Sequence, residues 1–359
     1  MAISKIDPAG LDIGQIGGRR NIIINGAQTV DQRFSGSSEL KGSGSQYHTD
    51  RFTVFSQAAS KITAQQVSEA PAGFKNSLQL TVTNAVTLGA TDQYMLQQRI
   101  EGQNVAHLAF GTASAETVTL SFYVRSSVTG THSGVLVNGS ENRNYPFTYT
   151  ISAADTWERV SVTIAGDTSG TWVTTNAVGM WVKWNLGTGS TYLGTAGAWS
   201  GSSYLSGATG SVQLIETGSA TFYITGVQLE VGSVATPFEH RSYGEELQSC
   251  LRYFWQITGA SGNKDNFAIG MCHNTTQLFA QVHFPVAMRI EPTTVAEFDL
   301  QAVVAATGYN VSFNSVSDMH EYGGRVTFNA DSGTWTAGNA GIVRVADSAS
   351  SFISFDAEL

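Results

Sequence analysis

The sequence predicts an all-β protein: an extended N-terminal arm, a large β-sandwich, a short helix and a smaller C-terminal β-sandwich. Three observations predict it. About ten short runs of alternating apolar and polar residues recur between residues 21 and 231, each closed by Gly, Asn, Asp or Ser. Alternation suits a strand because successive side chains point to opposite faces of the sheet. The period then changes within residues 221–255, from two to between three and four, and returns to two afterwards. Finally, 38 Gly and only 13% charged residues suit short strands joined by tight turns, whereas 42% hydrophobic residues with 18 Phe, 12 Tyr and 7 Trp exclude a disordered chain.

Residues 1–20 hold Pro8, Gly10, Gly14, Gly17 and Gly18 around isolated large aliphatics. They form either a loose terminus or an arm that orders against a partner. The arm is the better use of Ile3, Ile6, Leu11, Ile13 and Ile16, which solvent would waste, and these five are the candidate attachment residues. The first module spans residues 21–242. It opens with a short buried strand at 21–26, followed by a polar loop over 34–47. Strands are then expected at 51–55, 62–65, 77–82, 94–100, 117–124, 133–137, 143–149, 158–164, 180–184 and 223–231. Met180 and Trp184 fall on the core face of their strand. A short helix or turn is expected near 103–108.

After the strand at 223–231 the chain bends at Gly232-Ser233 and Pro237. From Tyr243, Leu247, Cys250, Leu251 and Phe254 fall at steps of three and four, which makes one apolar stripe on a linking helix over 243–256. The stripe can pack on its own module, or three copies can pack around a threefold axis. The second module, 257–359, shows strands at 267–271, 278–284, 294–298, 309–313, 325–328, 341–345 and 352–357.

The stretch Y-I-T-G-V-Q-L-E-V-G at 223–232, followed by A-T-P-F-E-H-R-S-Y-G-E-E-L-Q-S-C-L-R-Y-F, resembles bacteriophage fibre and appendage proteins that carry a carbohydrate-binding-module-like jelly roll. G-G-R-R-N-I-I-I-N-G-A-Q-T-V-D-Q-R and D-R-F-T-V-F resemble their opening, and F-D-A-E-L their ending. The resemblance narrows the first sandwich to a jelly roll. It implies a virion component attached through its N-terminal arm to other virion proteins and contacting the host surface with its C-terminal tip; it does not name the ligand, for which host surface polysaccharide is the expectation. It also implies a homotrimer, which favours Leu247, Cys250, Leu251 and Phe254 as interface residues.

Several function classes are excluded or disfavoured. A net charge of −9 argues against nucleic acid, which requires a basic face. No run of 18 or more apolar residues occurs, so no membrane-spanning helix is expected. The N-terminus lacks the apolar stretch of a signal peptide, so a virion part made in the host cytoplasm and released by lysis is expected. Cys250 and Cys272 are too few for a disulfide framework and are expected reduced and buried. No G-x-S-x-G, phosphate-binding loop, H-E-x-x-H or C-x-x-C motif occurs. No catalytic residue and no cofactor is expected. Cys272, His273, His283, His320 and Glu321 lack metal-ligand spacing, and a structural calcium ion has no legible ligand set.

Glycan recognition needs an aromatic ring against the sugar's C–H face and polar groups at its rim. The long Gly/Ser/Thr-rich loop at 185–210 offers Tyr192, Trp199 and Tyr204, and turns of the second module offer Tyr309, Tyr322 and Trp335. Trp199 has a simpler alternative, pinning its loop to the sandwich. The expected function is non-catalytic adhesion to host glycan; the rivals are a purely structural virion spacer and a detached carbohydrate-binding module of an enzyme.

Overall fold

The computed structural model describes residues 19–260, 264–292 and 294–359. Ile3, Ile6, Leu11, Ile13 and Ile16 lie outside them. The chain divides into two compact units, Met1–Glu246 with Leu359, and Leu247–Glu358.

The first unit is a jelly-roll sandwich of two six-stranded antiparallel sheets. Its strands are β1 (Glu39–Leu40), β2 (Gly44–Tyr47), β3 (Phe52–Ser56), β4 (Ile62–Val67), β5 (Ser77–Val82), β6 (Gln93–Glu101), β7 (Val118–Ser126), β8 (Gly130–Asn138), β9 (Asn144–Ile151), β10 (Glu158–Ile164), β11 (Val178–Thr188) and β14 (Thr221–Val231), with a small ladder of β12 (Leu193–Gly194) and β13 (Gly207–Ala208). The first sheet runs β1-β4-β5-β14-β7-β10 and the second β2-β3-β6-β11-β8-β9. The inner faces share one core that includes Leu78, Leu120, Phe122, Leu96, Val182 and Trp184. Trp184 is fully buried, with Phe122 edge-on at 5.7 Å. Alternation marked most of these strands; β1 and β2 were hidden inside the expected polar loop because they are short, β1 exposed and β2 mostly half-buried.

Residues 21–26 are not the expected strand. Asn25 and Gln28 adopt positive φ of 59° and 55°, which turns the segment out of an extended ladder. It is a strap held by main chain and by distant side chains. Ile22 N donates to Leu229 O at 2.9 Å and Val227 N to Gly26 O at 3.0 Å. The Glu239 carboxylate accepts from the Arg20 and Asn21 amides, both at 3.0 Å. Glu246 accepts from Asn25 N at 2.5 Å, and Arg241 donates to the carbonyls of Ile23 and Asn21. Gly26 is needed here because a Cβ would strike the Val227 carbonyl.

Helix α1 (Tyr243–Leu251) begins in a capping box, Ser242 Oγ accepting from Glu245 N at 3.3 Å while Glu245 accepts from Ser242 N at 3.0 Å. It is shorter than the expected 243–256, because the alternating Phe254-Trp255-Gln256-Ile257-Thr258 pairs with a strand instead, as β15 (Phe254–Thr258). The apolar stripe is therefore broken: Phe254 sits on a strand and is 5% exposed, Cys250 is 0% exposed, and only Leu247 and Leu251 are half-buried. Burial within the single chain removes Cys250 and Phe254 as contacts for other copies.

The second unit's expected small sandwich takes the form of a barrel with a sheet. β16 (Asn266–Cys272), β17 (Gln277–His283), β19 (Leu300–Val304), β20 (Thr307–His320), β21 (Gly323–Ala330) and β22 (Ala340–Val345) close in the order β16-β17-β21-β20-β19-β22. β15, β18 (Thr294–Phe298) and β23 (Phe352–Asp356) form a three-stranded sheet with β23 central. Leu278, Val326, Phe328, Val343 and Phe355 are in its core.

Candidate functional site

The site is built on the outer face of the second sheet of the sandwich. On β11, Met180, Val182 and Trp184 face the core, so Trp181, Lys183 and Asn185 must face away. The same holds on β6, where Tyr94, Leu96 and Ile100 are core residues and Gln93, Met95, Gln97 and Arg99 lie outward. An outward face normally meets solvent. Here Lys183 is 2%, Gln97 1% and Asn185 1% exposed.

The cover is the loop after β11. Leu205 packs with Val135 and Val137 of β8 and with Trp181 in a small second core. Beneath it, Ser133 Oγ donates to Ser211 Oγ at 2.8 Å, and Asn185 Nδ2 donates to both hydroxyls at 3.3 Å. Gln93 Nε2 reaches Tyr204 O at 3.1 Å and Ser206 Oγ at 3.0 Å, and Tyr204 N donates to Glu141 O at 2.9 Å. The loop therefore covers the β8 side of the sheet and forms a wall over the β6 side.

What remains is a groove of about 230 Å³ with β6 and β11 as its floor and Phe55, Glu141 and Tyr204 at its margins. Arg99 and Trp181 are directly paired across the strands, the guanidinium 4.4 Å from the indole centroid. Lys183 Nζ lies 5.0 Å from the same ring and 2.5 Å from Glu141 Oε2. Burial pushes the Lys183 pKa below the usual lysine range, with Glu141 working against that. Arg99 also donates to a main-chain oxygen of Leu359 and, at 3.3 Å, to Ser45 Oγ. Tyr204 is 54% exposed, an open ring at the edge of a polar floor. The groove can accept a polar ligand with an apolar face; among its lining residues no nucleophile is paired with a base.

The sequence-derived candidates separate. Tyr204 lies at the groove. Tyr192 is half-buried in a short 3-10 turn and contributes no lining to it. Trp199 pins its loop: its Nε1 donates to Ala165 O at 2.7 Å and its ring meets Phe110, Tyr145 and Trp172 edge-on at 5.9, 5.4 and 5.6 Å. It still borders a separate depression of about 370 Å³ in that loop. In the second unit, Trp335 is 5% exposed in the barrel core, with Tyr309 packed edge-on at 5.9 Å, so Trp335 is no surface platform. Tyr322 is 62% exposed on the turn after β20, with the His320 ring 6.2 Å away. These three therefore do not form one site.

Reading the residues as a list missed Arg99, Trp181 and Lys183. The signal for Trp181 was present: it sits between two core residues of one strand and so must lie on the opposite face. Among the described residues no group of three or more His, Cys, Asp or Glu side chains converges in a metal-binding arrangement. His273 instead stacks on Phe279 at 4.2 Å. Cys250 and Cys272 are not joined in a disulfide, and both are buried. No helix among the described residues is long and apolar enough to cross a membrane.

No protein-family model matches the chain, and no curated protein matches it in sequence. Among solved structures, a candidate sugar-binding protein of Bacteroides thetaiotaomicron aligns at 12% identity and a TM-score of 0.36, over 59% of this chain and 100% of that one. The enzymatically active domain of tailspike protein 4 of bacteriophage CBA120 aligns at 13% and 0.30, over 59% of this chain but only 21% of that one. The family 11 carbohydrate-binding module of a Clostridium thermocellum cellulosomal cellulase aligns at 13% and 0.28, over 58% and 99%. At such values the likeness does not reach individual site residues.

Proposed function

We propose that this chain is a glycan-binding adhesin of a phage-type virion appendage, and that the ligand lies in the groove over β6 and β11. The observation that supports it is a sheet face that carries polar side chains yet is buried beneath its own loop. Holding Gln97, Lys183 and Asn185 out of solvent carries a desolvation cost that a merely structural surface avoids. A sugar is matched to the result: Tyr204 offers a ring for its C–H face, while Gln93, Gln97, Lys183 and Glu141 offer donors and acceptors for its hydroxyls.

The appendage setting is supported by the residues at 223–254 and at the two ends of the chain that resemble phage fibre proteins. Attachment through the N-terminal arm, a virion location, adhesion without turnover and assembly as a homotrimer belong to the same proposal. Leu247 and Leu251 are the members of the helix stripe still available to such a trimer. A spacer that binds no ligand is the second reading, supported by the use of Trp199 and Trp335 in internal packing.

The test is calorimetric titration of the full chain with host envelope polysaccharide, with solution mass from light scattering alongside. Tyr204→Ala should weaken binding by ~1 kcal/mol, roughly fivefold, with the melting temperature almost unchanged. Trp199→Ala should do the reverse, lowering the melting temperature and leaving the affinity of the folded fraction near wild type. If no host polysaccharide binds, the spacer reading stands instead; a monomeric mass rejects the trimer.

A further inference from the structure

We propose that the groove is a dead-end recess that seats the terminal residue of a glycan chain and does not let the chain run through. This rests on the glycan reading above and adds which part of the ligand is held. Three sides of the recess are built shut. On the β8 side Leu205 packs with Trp181, and Glu141 is bound to Lys183 at 2.5 Å. At the Gln93 end the loop crosses the strand, with Gln93 Nε2 donating to Tyr204 O at 3.1 Å and to Ser206 Oγ at 3.0 Å. At the Arg99 end the Leu359 main-chain oxygen accepts from the guanidinium and, at 3.1 Å, from the Tyr47 hydroxyl. Arg99 is thereby matched and serves as a wall.

The fourth side is open. Asn185, Met95, Phe55 and Ser45 are successive cross-strand partners on β11, β6, β3 and β2. Along that row exposure rises from 1% and 3% at Asn185 and Met95, through half-buried Phe55, to exposed Ser45. β2 is the edge of its sheet, so no further strand of that sheet stands before this mouth. The wall opposite is fixed. Tyr204 holds a φ of 62°, a left-handed value that bulky residues seldom adopt and that persists only where the surroundings impose it. Here its N–H is bound to Glu141 O and its carbonyl to Gln93. Volume sets the same limit. The recess, about 230 Å³, is smaller than the roughly 300–1,000 Å³ of pockets that enclose a drug-sized ligand, so it suits one sugar ring and not a run of them. The interior of a chain needs an entrance and an exit; its end needs only the entrance.

Calorimetric stoichiometry tests this, with the full chain titrated against linear fragments of host envelope polysaccharide sized from a single residue to long chains. One protein chain should be bound per glycan end at every length, and the free terminal sugar should bind within roughly tenfold of the longest fragment. Opening the reducing-end ring with borohydride shows which end is seated: binding that survives assigns the other end, and binding that is lost assigns this one. Tyr204→Ala should weaken single sugars and long fragments by the same factor, because both place the same residue against that wall. The stoichiometry needs no variant, so a misfolded mutant cannot rescue the proposal. A count of bound protein chains that grows with fragment length, or binding by long chains alone, overturns it and leaves the glycan reading intact. No binding to any fragment overturns both.

Discussion

The two units solve opposite problems. The sandwich keeps polar side chains out of solvent: Lys41, His48, Asp50, Gln97, Lys183 and Asn185 are all 2% exposed or less. The barrel turns apolar ones outward. Ile269 is 70%, Met271 54% and Ile342 37% exposed, and β16 pairs with β22 so that Ile269 lies directly beside Ile342. Among the described residues of the second unit, the buried polar side chains are few and uncharged, namely Thr327, Ser351 and Ser354. In the function proposed above, a sheet face that hides polar groups under a loop receives a small ligand. A sheet face that shows branched aliphatics is organised differently, and the difference warns against reading the two β-modules of this chain as copies of one design.

Three perturbations would break or sharpen that contrast. The largest effect is expected from Trp184→Ala in the sandwich core, which should cost about 3–5 kcal/mol in denaturant unfolding. The floor of the groove shares β11 with this residue, so ligand binding should be lost with it. A sandwich that tolerates the change would show that its polar outer layer, rather than its apolar core, carries the stability.

A middle-sized effect is expected at the strap. Burial raises the Glu239 pKa, but the Asn21 and Arg20 amides and the Arg241 guanidinium outweigh it and hold the pKa below the ordinary glutamate value of 4.5. A carboxylate depressed by folding stabilises the fold above its unfolded pKa, and this contribution fades as pH falls below 4.5 through the lower folded value. Glu239→Gln should cost about 1–3 kcal/mol at neutral pH and flatten that part of the acid denaturation curve. An unchanged curve would mean that the strap is held by its main-chain bonds alone.

The smallest effect is expected on the barrel face. Replacing Ile269 with Thr and Met271 with Gln should change unfolding stability by less than about 0.5 kcal/mol, because neither side chain is in the core. Loss of binding to a hydrophobic dye should accompany the change. A large destabilisation would show that this face is not free in solution.

Most of the architecture was legible because strand alternation is local. Met180 and Trp184 fell inward as their period required. The segment 21–26 misled because Ile22-Ile23-Ile24 reads as a strand, whereas its conformation is set by Glu239, Arg241 and Glu246, over 200 positions away. The helix was overextended for a related reason: Tyr253, Phe254 and Trp255 continue an apolar step pattern, but strand pairing to β23 decides their state. The groove was the least legible part. Tyr204 stood out as an aromatic in a long loop, yet nothing local to Arg99 or Lys183 says that this loop folds back over their sheet.

The strap also has a mechanical meaning. Arg20 and Glu239 stand 219 positions apart in the chain and meet through a single carboxylate. The entrance and exit of the sandwich are thus tied at one spot, with every strand of both sheets contained in the closed circuit between them. Tension applied at residue 20 and at residue 246 would load that knot of carboxylates and guanidinium first. The sheets inside the circuit would bear no pull until it gave way, so the sandwich could be carried on a line under strain and keep its groove open.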